Sequence, residues 1–302
     1  MRGRLKIFAG LLALATFSAL ALGQAGRRPG AGGTEPRERG VFLNVSATRT
    51  NGSEDLLSSS ELAVYDGGLE QKIQSLVPDL GPARIVILVD NSLGLRADVE
   101  KLQRAAREFA YEIYEGDRVM VIGYDQNAEI ISDWTDDPKK IEEALPQFRK
   151  RGEPHLFDAL SAVMSDALAP FSGTNRKRAV VLVADGLDRG SKTNFQQVFD
   201  ELLRQDITVY ALQLPDRTGG ALRRDRLKPA QVIQKLTEGT GGRVLSPNEP
   251  REAAQAICDE LRKNRYILAY TPSSVPLTDR RRILIVPDEG ISVRHKLQQP
   301  SH

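Results

Sequence analysis

Asp90 and Asp185 each end an apolar run at a polar turn, where a carboxylate can face a cation or a polar partner. The first run, Arg84-Ile-Val-Ile-Leu-Val-Asp90, leads into Asn91-Ser92-Leu93-Gly94. The second, Arg178-Ala-Val-Val-Leu-Val-Ala-Asp185, leads into Gly186-Leu187-Asp188. Ser92 adds a hydroxyl two residues beyond the first carboxylate. Carboxylate and hydroxyl oxygens are the donors that hard divalent cations take, with water filling the remaining positions. The other chemistry open to Ser92 is nucleophilic, and it needs a base within hydrogen-bond reach. Of the three histidines, His155, His295 and His302, only His155 belongs to a loop expected near Asp90. Ser92 lacks a Gly-x-Ser-x-Gly elbow, so a hydrolase using Ser92 and His155 would depart from that motif, and no catalytic residue is assigned.

These residues need elements that bring the two strand ends together. Continuous β-branched runs are the pattern of strands buried on both faces, as in a parallel sheet covered by helices. In such sheets ligands bind beyond the carboxyl ends of the strands, where the winding direction reverses. After the strand ending at Asp90, Val99, Leu102, Ala106, Phe109 and Ile113 recur at spacings of three and four and predict a helix. Two strands follow, Asp117 to Tyr124 and Ala128 to Ser132, joined through Asp125-Gln126-Asn127. Asp137-Pro138 opens a helix with Ile141, Leu145 and Phe148, and another carries Leu156, Leu160, Met164 and Leu168. Beyond Asp185 come a helix with Phe195, Val198 and Leu202, a strand from Ile207 to Leu214, and a helix with Val232 and Leu236. Gly242 to Leu245 reads as a short strand and Arg251 to Lys263 as a last helix. The alternation predicts a doubly wound α/β fold, a mostly parallel sheet with helices on both faces. Gly239-Thr-Gly-Gly242 joins a helix to a strand, so it reads as a helix C-cap and not as a phosphate cradle.

Both ends of the chain depart from this pattern. Residues 1–23 have a basic start at Arg2, Arg4 and Lys6, an apolar stretch from Ile7 to Leu22, and small residues at Ala21 and Gly23. That is the pattern of a cleaved secretory signal, shorter than the roughly 20 residues of a membrane-spanning helix. The expectation is an exported protein, periplasmic or extracellular, with no transmembrane span after cleavage. Residues 24–40, rich in Gly, Arg and Pro, read as a disordered linker. Residues 41–82 and 266–302 show the short alternating runs of β-strands, each set too small to be stable alone. They are expected to pair into a small accessory β unit from both termini, flanking an α/β domain at residues 83–265.

The Asp90-x-Ser92-x-Gly94 turn followed by Asp185 resembles the metal-ion-dependent adhesion site of the von Willebrand factor type A family. Arg151-Gly-Glu-Pro-His-Leu-Phe-Asp-Ala-Leu160, Val183-Ala-Asp-Gly186 and Gly239-Thr-Gly-Gly-Arg243 are similar to other segments of that family. Glu61-Leu-Ala-Val-Tyr-Asp-Gly-Gly68 and the segment from Leu261 to Pro272 resemble a secreted bacterial subfamily. The resemblance implies protein–protein binding through the rim at the strand ends, with Asp90, Ser92 and Asp185 as residues that would hold Mg²⁺ or Mn²⁺. Gly94 stands where the family has its second serine, and Pro154 where it has a threonine. The implied site is therefore degenerate, either weak for a cation, with Glu153 or Asp188 as nearby substitutes, or vestigial with its aspartates held by helix N-terminal amides. The other reading is a structural envelope component.

Composition narrows the partners. A formal net charge of +2 over 302 residues points to neither nucleic acid nor an anionic membrane surface. The clusters Arg176-Lys177-Arg178, Arg223-Arg224-Asp225-Arg226 and Arg280-Arg281-Arg282 are expected as solvated edges, without interleaved aromatics to stack bases. Cys258 is the only cysteine, so no intrachain disulfide can form, and its helical context predicts burial. The partner implied is a protein.

Overall fold

Eight consecutive buried residues, Ala83–Asp90, form the central strand (β5) of a six-stranded sheet. In this computed structural model, which describes residues 40–173, 177–220, 227–276 and 279–300, β5 pairs in parallel with two strands. These are β6 (Arg118–Tyr124) on one side and β8 (Lys177–Ala184) on the other. Beyond β8 lie β9 (Thr208–Gln213) and the short β10 (Val244–Leu245), both parallel. Beyond β6 the hairpin partner β7 (Ala128–Thr135) closes the edge antiparallel. The chain winds first to one side of β5 and then, from β8, to the other, so the ends of β5 and β8 frame the reversal of winding.

Helices cover both faces because the strand residues are apolar on both. Helix α1 (Val99–Glu112) and α6 (Pro250–Lys263) pack with α2 (Pro138–Ala144) over Ile85, Ile87, Val89, Val181 and Val183. Helices α3 (Leu156–Ala162), α4 (Phe195–Arg204) and α5 (Pro229–Thr240) cover Val86, Leu88, Val180 and Leu182 on the other. The helix expected to run on to Leu168 changes winding after Ala162, and Val163–Leu168 is π-helical. Apolar spacings of three and four over so short a stretch do not separate the two windings. Gly241 caps α5 at φ 86°, as the sequence predicts. Cys258 is buried in α6, and burial pushes its thiol well above its ordinary range.

Strands from the two ends of the chain pair with each other. In one sheet β1 (Val41–Arg49) lies between β13 (Ile291–His295) and β11 (Arg265–Tyr270), and β4 (Ile73–Pro78) pairs with the far side of β11. In the other, β12 (Arg281–Pro287) lies between β2 (Leu62–Asp66) and β14 (Gln298–Gln299), and β3 (Leu69–Gln71) pairs with β2. Leu43, Val45, Val64, Leu268, Tyr270 and Ile283 fill the space between the sheets.

Two of the basic residues expected at solvated edges are buried. Arg281 and Lys177 are not solvated edges. Arg281 is buried and donates to Asp66 at 2.8 Å, and Lys177 donates to Asp79 at 3.1 Å. A buried guanidinium or ammonium survives only with such a partner. Residues 1–39, Arg176, residues 221–226 and His302 lie outside the described residues, and with them the expected signal and most of the linker.

The sandwich docks at the amino ends of the α/β strands. Arg265, first in β11, donates to Thr208 Oγ1, first in β9, at 2.8 Å and to Ser46 Oγ at 3.2 Å. Glu260 of α6 receives Tyr210 at 2.9 Å and Arg294 of β13. Among the described residues, the sandwich leaves the carboxyl ends, where Asp90 and Asp185 lie, uncovered.

Candidate functional site

The carboxyl ends of β5 and β8 bring Asp90 and Asp185 together, and both are fully buried. Each carboxylate is held by its own turn. Asp90 Oδ1 accepts from the Ser92 amide at 2.9 Å and from the Ser92 hydroxyl at 2.5 Å. Asp185 Oδ1 accepts from the Leu187 amide at 3.0 Å. The amides come from tight turns two residues on, because α1 and α4 begin further along at Val99 and Phe195. The expected hold by helix N-termini is thereby corrected.

Between the carboxylates lies a guanidinium. Arg217, in the loop after β9, donates from Nε to Asp185 Oδ2 at 2.7 Å and from Nη2 to Asp90 Oδ2 and to Asp185 Oδ1. Its Nη1 donates to Ser92 Oγ at 2.7 Å and to the Leu93 carbonyl at 3.3 Å. The Arg217 amide adds a bond to Asp185 Oδ2 at 3.1 Å, and the Leu214 amide fastens the same loop to the Ala184 carbonyl at 2.9 Å. The Arg217 side chain is only 8% exposed.

The charges adjust to one another. Burial lifts the Asp90 carboxyl above its ordinary range, against the pull of Arg217 and the Ser92 hydrogen bonds. For Arg217 burial disfavours the charge, but the bond to Asp185 and the charges of Asp90 and Asp185 outweigh it and raise its pKa. Tyr124, whose Cα is paired with that of Asp90, has a buried hydroxyl without a hydrogen-bond partner among the described residues. Burial, then the two carboxylates, pushes this phenol well up, so it stays protonated.

The remaining sequence candidates fall around this centre and not in it. Gly94 adopts φ 78°, a left-handed conformation in which serine is strained. Pro154 is buried, and its carbonyl accepts from the Arg189 amide at 2.7 Å. Glu153 is exposed and pairs at 3.9 Å with Arg189. Asp188 accepts from the Phe157 amide at 3.1 Å and Ser191 Oγ at 2.5 Å, and burial raises its pKa. Neither acid shares a hydrogen bond with Asp90, Ser92 or Asp185 among the described residues. His155 precedes α3 and lies against Gly190, where an added Cβ would come within 2.6 Å of Nε2. The Ser92 hydroxyl is instead engaged by Asp90 and Arg217.

Residues 85–187 match the sequence model of the von Willebrand factor type A domain. This stretch of the chain is similar to a von Willebrand factor type A domain. No curated protein matches it. Solved structures similar to it include an aerotolerance-related membrane protein from Bacteroides fragilis, 19% identical, covering 60% of this chain and 99% of that one, TM-score 0.47. BatB from Bacteroides thetaiotaomicron is 17% identical over 59% of this chain and 97% of its own, TM-score 0.45. A von Willebrand factor type A protein from Catenulispora acidiphila is 10% identical over 86% and 73%, TM-score 0.49.

The residues of this domain do not fit a divalent cation. Two of the family's hydroxyl positions hold Gly94 and Pro154, and a guanidinium already binds both carboxylates and Ser92. Arg217 lies beyond the matched stretch, and sequence reading missed it. The available signal was physical: two buried carboxylates need a counter-charge.

Proposed function

We propose that this is an exported, non-enzymatic protein that binds a protein partner through the rim of its von Willebrand factor type A domain, at a degenerate metal-ion-dependent adhesion site. The observation that carries the reading is the rim's openness. Among the described residues the accessory sandwich packs at the opposite strand ends, and Leu93, which follows the buried Ser92 and whose carbonyl accepts from Arg217, is 61% exposed. An apolar side chain raised on a rigid polar base suits the centre of a protein interface. The engagement of the Ser92 hydroxyl supports the absence of a nucleophile, and the basic, apolar start of residues 1–23 supports export.

Binding is expected to persist in chelator, since no cation takes part. The test is recovery of a specific partner from envelope extract by the immobilised protein, with and without EDTA. A Leu93→Asp variant should lose the partner about tenfold or more, while Phe42→Asp, on the exposed face of the sandwich, should keep it. Loss of the partner in EDTA, or equal loss in both variants, contradicts the proposal. No specific partner at all would favour the structural envelope reading.

A further inference from the structure

Arginine carries five N–H donors in a planar fork. In this site Nε serves Asp185, the two on Nη2 serve Asp90 and Asp185, and the two on Nη1 serve Ser92 and the Leu93 carbonyl. Every donor is used inside the protein. A divalent cation held by carboxylates keeps exchangeable waters that an incoming oxygen can displace. The Arg217 guanidinium has no such position left.

We infer that Arg217 is a built-in cation: its guanidinium permanently takes the place of a divalent ion between Asp90 and Asp185, and closes this point of the rim to partner carboxylates. Three observations converge on it. Both carboxylates are fully buried, so a counter-charge is required for them to remain ionised. The same arginine reaches both of them and the one hydroxyl that remains from the adhesion-site pattern. Its loop is pinned by two further backbone bonds, Arg217 N–H to Asp185 and Leu214 N–H to the Ala184 carbonyl, so the charge is held in place by the sheet. Arg217 thus couples the β9 loop to the turns after β5 and β8.

The test uses the full chain with MnCl₂ as probe, read by thermal melting and by calorimetric titration, so it is independent of any protein partner. Failure of the protein-binding reading would leave these results unchanged, and the reverse also holds. Wild type should show no titratable heat and no change of Tm in millimolar Mn²⁺. Arg217→Ala should melt roughly 10 °C lower, and Mn²⁺ should now bind it and raise its Tm. Adding Asp90→Asn to Arg217→Ala should restore much of the lost Tm without metal, because one of the two stranded charges is gone, and should abolish the Mn²⁺ response. The double variant also remains readable if Arg217→Ala alone does not fold. The inference is overturned if wild type binds Mn²⁺ as well as Arg217→Ala does. It is equally overturned if Arg217→Ala melts within about 1 °C of wild type, or if the double variant is no more stable than the single one.

Discussion

Asp90, Ser92 and Asp185 could be read from the sequence because each sits at a fixed offset from an unmistakable buried strand. Arg217 could not, since nothing in Pro215-Asp-Arg-Thr-Gly-Gly220 distinguishes a buried arginine from a solvated one. Its role depends on β9 lying beside β8, which is a fact of tertiary structure. Removing one member of a buried, hydrogen-bonded charge group costs about 3–5 kcal/mol. Arg217→Ala should fall in that range in urea denaturation, and Arg217→Lys, which keeps the charge but loses the fork, should fall below it. Gly94→Ser would supply the hydroxyl that the family pattern has at this place. At φ 78° it should instead cost roughly 1–2 kcal/mol in the same measurement. It should gain no Mn²⁺ affinity by calorimetry, because Arg217 still occupies the carboxylates. Restored Mn²⁺ binding in this variant would place the defect in the missing hydroxyl and not in the arginine.

At the scale of elements, the sheet and its helices were legible because β-branched runs alternate with spacings of three and four. The pairing of the chain ends was expected from the smallness of each set, but not its form: β11 is central, between β1 and β4. Deleting residues 265–302 therefore strips both of those strands of a partner, and size-exclusion chromatography should show aggregated material where the full chain elutes as a discrete species. His295 closes the same sandwich from within. The Ile285 amide donates to its Nε2 at 3.2 Å, and its Nδ1, 2.7 Å from the Lys296 carbonyl, must then carry the proton. Burial holds its pKa below the ordinary 6.5. The unfolded chain consequently takes up the proton first, so this contribution to stability is intact above about pH 6.5 and declines as pH falls towards the folded value. Urea midpoints between pH 7.5 and 5.5 should show that decline, and a His295→Gln variant should lose the part due to this residue.

At the scale of the whole molecule, the described residues of the sandwich sit at one end of the α/β sheet, and the rim at the other end is where a partner is proposed to dock. Export belongs to this scale too. Mass spectrometry of protein from the envelope or medium should find a chain beginning near Gln24, and intact Met1 protein confined to the cytoplasm would contradict it. Near-neutral charge gave no pointer to nucleic acid, and no pattern of charge or hydropathy in the sequence indicated that the rim carries its own cation. That claim is tested most directly by diffraction from crystals soaked in MnCl₂, recorded at a wavelength where manganese scatters anomalously. The expected result is no anomalous peak at the rim, with the Arg217 guanidinium in density between Asp90 and Asp185. A manganese peak between those carboxylates, with Arg217 turned away from them, would contradict it.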